Sequence, residues 1–373
     1  MGDNTKKGAN SGVNGGAGYS FQKVCIIKLM FDNFEMFSCS DNDYFIYVEH
    51  HDDFLFVYLD KNNRLYKLES YQAKKSSKKW TISNDFITIV NDIISVGINI
   101  DEDNSLEKSK EYGHKLYFIT NEDVELSVTV DVTVDKKKKK KKHVKTVNCA
   151  NHTCSYIELD DLIKNRIEKE LSLLNNADSN QIRNVHFKRI DLPKQYKEWK
   201  DNLVGACYRL LGKKVEDHNA VIDTLMSLLS DVELKYNNRG EILLSDETKR
   251  LSKKDIDHAF NIFEIRKKSF AFWRENAMQL SKQLKISVTS QHRSIAYINI
   301  FFDLFKDNRQ VEYRKIYKFV RENRHVDDNH YSVIDCIKEL YESFISKETC
   351  SLPNDKVAFS IIAAYVETRK LHD

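Results

Sequence analysis

The sequence predicts an α/β protein in which a mixed sheet flanked by helices is followed by an α-helical domain. Two observations point there. Up to about residue 150, short runs rich in Tyr, Phe, Val and Ile alternate with turn residues, the pattern of half-buried and buried strands. After Tyr156, apolar residues recur at three- and four-residue spacing, and the only prolines, Pro193 and Pro353, fall between the periodic segments, where helix breakers belong.

The elements follow in order. Residues 1–18 are polar and glycine-rich, read as a flexible lead-in, and lack the apolar stretch of a secretory signal. A helix follows over roughly Tyr19–Phe34. DYFIYVEH, FLFVYLD and RLYKLESYQA predict three strands, with Asp60-Lys61-Asn62-Asn63 as the hairpin connection between the second and third. Ser83, with Asp85 behind it, predicts the N-cap of a second helix over roughly Ser83–Val96. KLYFITN and ELSVTVDVTV predict two more strands, and the segments from LDDLIKNRIEKELSLL to KVAFSIIAAYVETRKL are helical in period. The sheet domain is therefore expected over 19–150 and a helical regulatory or assembly domain over 151–373.

Composition narrows the class. With 41% apolar and 31% charged residues, and no run long enough to span a bilayer, the chain reads as a soluble globular protein without a membrane role. Its seven cysteines are odd in number and scattered, which fits a reduced, cytoplasmic setting better than a disulfide framework. Cys149, His152 and Cys154, with His143 upstream, lack the second pair of a usual zinc site and read as structural residues of a loop. The net charge of +3 is small, and residues 1–150 balance 22 basic against 22 acidic side chains. Any affinity for phosphate must then come from local patches. The lysine run Lys136–Lys142 is one candidate, although a solvated loop or inter-domain linker is the favoured reading of such a block.

Chemistry concentrates in the first 80 residues, in GGAGYSFQ (Gly15–Gln22), VEHHDDFLF (Val48–Phe56) and LESYQAKKSSKKW (Leu68–Trp80). Side chains two apart on a strand share a face, so Gln72 and Lys74 project together. Beside Asp53 they bring a carboxylate, an amide oxygen and an ammonium to one point. Phosphodiester cleavage uses this combination: oxygen ligands hold Mg²⁺ (or Mn²⁺), and a lysine orients or deprotonates water.

These three segments resemble the double-stranded-DNA endonuclease domain of CD-NTase-associated antiphage effectors, within the PD-(D/E)xK superfamily. The resemblance extends to the nuclease subunit of Lamassu-type defence systems. It implies a restriction-endonuclease-like fold, with Asp53 binding metal, Gln72 in place of the superfamily's acidic residue, and Lys74 as the catalytic lysine. Gln22 and Glu49 would support the metal or orient water. His50 and His51 lengthen the acidic turn by one residue, which leaves Asp52 and Asp53 unranked. Lys75, Lys78 and Lys79 would contact DNA phosphates. The resemblance further implies an SMC-like ATPase and a small accessory subunit as partners, and self-assembly on activation. A non-catalytic DNA-binding or scaffold subunit built on a degenerate nuclease fold is the alternative.

Overall fold

The computed structural model describes residues 11–38, 43–134, 137–174, 179–235, 243–305 and 310–369. Helix α1 (Ser11–Asp32) and the short α2 (Phe34–Ser38) lead into β1 (Asp43–Val48), β2 (Phe54–Leu59) and β3 (Leu65–Lys74). The two-residue β4 (Trp80–Thr81) precedes α3 (Asn84–Glu102) and the long β5 (Lys108–Thr120). A hairpin follows, β6 (Val124–Val134) with β7 (Lys137–Val147), and then β8 (Thr153–Ser155), α4 (Asp161–Ser172), α5 (Ser179–Ile182) and β9 (Val185–Arg189). Helices α6 (Trp199–Leu211) and α7 (His218–Glu233) precede β10 (Arg250–Ser252). The remainder is helical: α8 (Lys253–Gln283), α9 (Val288–His292), α10 (Ser294–Phe305), α11 (Val311–Glu322), α12 (Val333–Lys347) and α13 (Asn354–Arg369).

The main sheet has seven strands in the order β10-β1-β2-β3-β5-β9-β8. Strands β1, β2 and β3 are antiparallel neighbours, whereas β5 lies parallel to β3 and β9 parallel to β5. Helix α3 makes the crossover that a parallel β3–β5 pair requires. Its N-cap is Ser83, whose Oγ accepts from the Phe86 backbone N–H. At the β2–β3 turn, Asp60 Oδ1 accepts from the backbone N–H groups of Asn62 and Arg64, and Asn63 takes the left-handed conformation at φ 59°.

Strands β1 and β2 are buried along nearly their whole length, because helices or loops cover both faces of the sheet. One core joins Phe45, Tyr47, Leu55, Val57, Leu116 and Phe118 to Phe86, Val90, Ile93 and Ile94 of α3. Elsewhere in the sheet, Phe54, Tyr71 and Tyr117 stack in sequence at centroid spacings of 4.8 and 4.6 Å. The hydroxyls of Tyr58 and Tyr71 both donate to Glu69 Oε2.

By contact density the chain divides into two compact units, one of residues Met1–Leu210 and His218–Asp257, the other of Leu211–Asp217 and His258–Asp373. The second unit centres on α13, whose residues Val357–Val366 are buried on every side, as expected of a helix without a polar face. Its last turn is held by Arg369, which donates to Asp327 Oδ2, the Val320 carbonyl and the Asn323 carbonyl.

Four expectations change. The boundary at residue 150 falls inside the first unit, because β8, β9 and β10 complete its sheet. The region after residue 150 is accordingly not purely helical. Of the expected lead-in, residues 1–10 lie outside the described part, and α1 already begins at Ser11; once its packed turns form, a stretch without proline can continue the helix upstream. Finally, the lysine run is a strand rather than a loop or linker: residues from Lys137 onward pair with β6 through register Val134↔Lys137 to Val124↔Val147. Among the described residues, no helix is long and apolar enough to cross a membrane.

Candidate active site

The site begins in the turn between β1 and β2. Glu49 N–H donates to the Asp53 carbonyl at 3.0 Å and His50 N–H to the Asp52 carbonyl at 3.2 Å, closing a tight loop. The loop forces Glu49 into the left-handed region at φ 53°, a conformation that costs a residue with a Cβ. His50 is buried and stacks on Tyr47 with centroids 4.3 Å apart. Burial, with the neighbouring His51, lowers its pKa to about 4, so the ring is neutral and acts as an apolar filler. His51 is also lowered by burial, opposed by Asp103, whose Oδ2 lies 3.5 Å from its Nε2.

The β2–β3 register carries this turn to the Gln-x-Lys strand. Phe54 pairs with Tyr71, which sets Asp53 across from Gln72. Asp53 Oδ2 accepts from the Ala73 backbone N–H at 2.7 Å and lies 4.0 Å from Lys74 Nζ. Burial raises the Asp53 pKa, while the Lys74 ammonium, the Ala73 N–H and the side-chain amides of Gln72 and Gln22 pull it back. Asp52 faces different partners. Its Oδ2 accepts from Ser70 Oγ at 2.8 Å and its Oδ1 from the Asp53 N–H at 2.9 Å. Burial and the adjacent Asp53 charge push its carboxyl up to about 7. The geometry thus separates the two aspartates: Asp53 meets Gln72, Lys74 and Gln22, whereas Asp52 is tied to Ser70 and the turn.

Helix α1 supplies Gln22, which is buried, beside Glu49 and Asp53. Burial raises the Glu49 pKa, and the Asp53 charge adds to the rise; Gln22 and Lys249 oppose it. Gln22 Oε1 and Glu49 Oε1 are both buried without a hydrogen-bond donor. A carboxyl at Glu49 pushed up by burial and the Asp53 charge, together with stranded oxygen acceptors, makes the surroundings that a hard divalent cation would satisfy. Among the described residues no group of three or more His, Cys, Asp or Glu is arranged to hold a metal, so amide oxygens would have to complete the donor set. Glu49, Asp53, Gln72 and Gln22 fit that requirement.

The expected phosphate contacts differ among themselves. Lys75, Lys78 and Lys79 are all exposed. Lys75 Nζ lies 5.0 Å from the Trp199 ring centroid, while Lys79 is paired with Glu125 at 2.6 Å. Cys154 is buried on β8 and Cys149 is exposed.

Some neighbours of the site could not be read from local sequence. Glu233 of α7 pairs with Lys23 of α1 at 2.6 Å, and the Lys249 ammonium donates to the Glu233 carbonyl at 3.2 Å. Both act on the charge of Glu49 from far along the chain. Asn121 clamps the loop after β3, its Oδ1 accepting from Ser76 N–H and its amide donating to the Ser76 carbonyl. No signal near either motif announces these partners. Compared with family models, curated proteins and solved structures, the chain has no match.

Proposed function

We propose that this protein is a divalent-metal-dependent endonuclease that hydrolyses double-stranded DNA. The observation that carries the reading is Asp53, set opposite Gln72 and 4.0 Å from Lys74 Nζ at the end of β3. A mixed sheet with this acidic turn beside a Gln-x-Lys strand also supports a restriction-endonuclease-like fold. Asp53 and Glu49, with the amide oxygens of Gln72 and Gln22, would hold Mg²⁺ or Mn²⁺. When bound, the ion supplies Lewis-acid activation and neutralises charge on the phosphoryl group.

The chain's own residues do the rest. Asp53 is kept in place by the Ala73 N–H, a rigid strand donor, so its position does not depend on a mobile side chain. Lys74, anchored beside it, presents an ammonium to a phosphate oxygen or to the attacking water. Gln22 fixes Glu49 and Asp53 relative to α1 and excludes solvent behind them. The Tyr47–His50 stack holds the turn rigid. We further infer, from the sequence resemblance, an antiphage effector that works in the cytoplasm. In this reading the chain is held inactive alone and switched on by assembly with an SMC-like ATPase, a small accessory subunit and further copies of itself.

The test uses the activated assembly, Mg²⁺ and supercoiled plasmid. Lys74→Ala should lower cleavage by about 10²–10⁴-fold while DNA affinity stays near that of the wild type. Undiminished cutting would remove Lys74 from the site. A wild-type assembly that binds DNA yet never cuts, with either metal, would instead establish the scaffold reading.

A further inference from the structure

The β6–β7 ribbon holds the densest charge in the chain. Residues 124–147 carry eight lysines against three acidic residues. Along a strand successive side chains leave opposite faces, so Lys140 and Lys142 emerge on one face of the ribbon and Lys139 and Lys141 on the other. All four are exposed. Glu125 holds Lys142 at 2.7 Å, and among the described residues no ion pair engages Lys139, Lys140 or Lys141. Lysine is a poor strand former, and a line of like charges repels itself. An edge strand can be guarded against unwanted pairing by isolated lysines. A run that covers both faces exceeds that need.

The ribbon is rooted at the site end of the sheet. Strands β3 and β5 run parallel and finish together, Lys74 opposite Thr120, and β6 starts at Val124. Trp80 and Thr81 of β4 pair with Val124 and Glu125, and the Trp80 indole N–H donates to Thr120 Oγ1 at 3.0 Å. Glu125 joins the two basic segments, accepting from Lys79 at 2.6 Å and from Lys142 at 2.7 Å. These two lysines hold its carboxyl down to about 2, so the joint persists across the neutral range. A basic path therefore leads from the loop after Lys74 onto the ribbon.

We propose that the β6–β7 ribbon is a DNA-gripping arm that binds the phosphate backbone of duplex DNA beside the nuclease site. The idea rests on the nuclease reading for its choice of polyanion. A two-stranded ribbon fits the major groove, about 12 Å wide, whose two walls are lined with phosphates. Lysines on both faces match such a groove. An anionic membrane surface would call for one basic face backed by an apolar one; here Val130 of β6 lies opposite Lys141 and Asp131 opposite Lys140, so the face that carries the β6 valines carries lysine as well.

The experiment measures binding of the full chain to a labelled duplex of mixed sequence across a salt series. The triple variant Lys139→Gln, Lys140→Gln, Lys141→Gln should make the slope of log affinity against log salt shallower by roughly 3. The matching triple Lys→Arg variant should keep the wild-type slope, and circular dichroism melting checks that both variants fold. An unchanged slope in the glutamine variant overturns the proposal. So does binding of the wild type to phosphatidylserine vesicles without binding to DNA. Cleavage is scored in parallel in the activated assembly with Mg²⁺, with Asp53→Asn as the inactive control. A wild type that never cuts, combined with a flattened slope in the glutamine variant, would sink the nuclease reading and leave the arm standing. Normal cutting with an unchanged slope would do the reverse.

Discussion

At the residue scale, the two adjacent aspartates carry the sharpest contrast. Asp53 Oδ2 lies 4.0 Å from Lys74 Nζ, whereas Asp52 Oδ2 accepts from Ser70. Asp53→Asn should therefore abolish both cleavage and the stabilisation by Mg²⁺, while Asp52→Asn should keep the Mg²⁺ response; thermal melts with and without the ion compare the two. Equal loss in both variants would mean that the ion bridges the pair. Gln72 and Lys74 were legible in advance because strand period alone puts them on one face. The ranking of Asp52 and Asp53 was not legible, since it depends on how the five-residue turn folds around buried His50. Gly97, in the C-terminal half of α3, is a second telling residue. A Cβ there would lie 2.6 Å from Leu116 Cδ1 and 2.8 Å from Gln181 Oε1. The Gln181 amide cannot easily yield, because its oxygen faces His114 Nε2 at 2.8 Å and its nitrogen donates to Asp101. Gly97→Ala should lower stability by about 1–3 kcal/mol from overpacking, despite a gain of up to about 1 kcal/mol in helix propensity, as read by urea unfolding.

At the element scale, strongly patterned segments were readable and short or charged ones were not. Strands β1 to β3 and the Ser83 cap follow from apolar runs and a capping residue that act locally. Strand β9, VHFKR, is short and sits between helical periods, and its pairing with β5 is decided by tertiary packing. Strand β10 is three residues long. Strand β7 hides behind lysines, which side-chain propensity assigns to solvent. Helix α13 offers a test of its own. Burial pushes the Glu367 carboxyl up to about 7 from an ordinary 4.5, and its Oε2 is buried without a hydrogen-bond partner. Between those two values the folded state keeps a proton that the unfolded chain has released, so stability falls as pH rises from about 4.5 to about 7. Glu367→Gln should remove that fall, gaining on the order of 1–3 kcal/mol above the window and almost nothing below it. Denaturant midpoints across the pH range give the answer, and parallel curves for the two proteins would contradict it.

At the scale of the whole molecule, two units with separate cores predict two unfolding transitions in calorimetry rather than one. Mg²⁺ should raise only the transition of the unit that contains Asp53, by about 2.7 kcal/mol at a hundredfold excess over its dissociation constant. A single transition, or an equal shift in both, would show that the units unfold together. The balance of 59 basic against 56 acidic side chains explains why net charge was uninformative about partners, since the basic residues of interest are concentrated in one ribbon.

The edge strand β10 has a consequence for the birth of the protein. Leu251 pairs with Ile46, and Lys249 receives the Val48 N–H on its carbonyl, so the wall beside the acidic turn comes from chain made roughly 200 residues later. At a synthesis rate of about 5–20 residues per second, the turn waits some 10–40 seconds for that neighbour. A nascent chain thus carries Asp53 and Lys74 long before the sheet around them can close. Under the proposed nuclease reading, a cell translating this protein would be shielded during that interval by the order of synthesis itself.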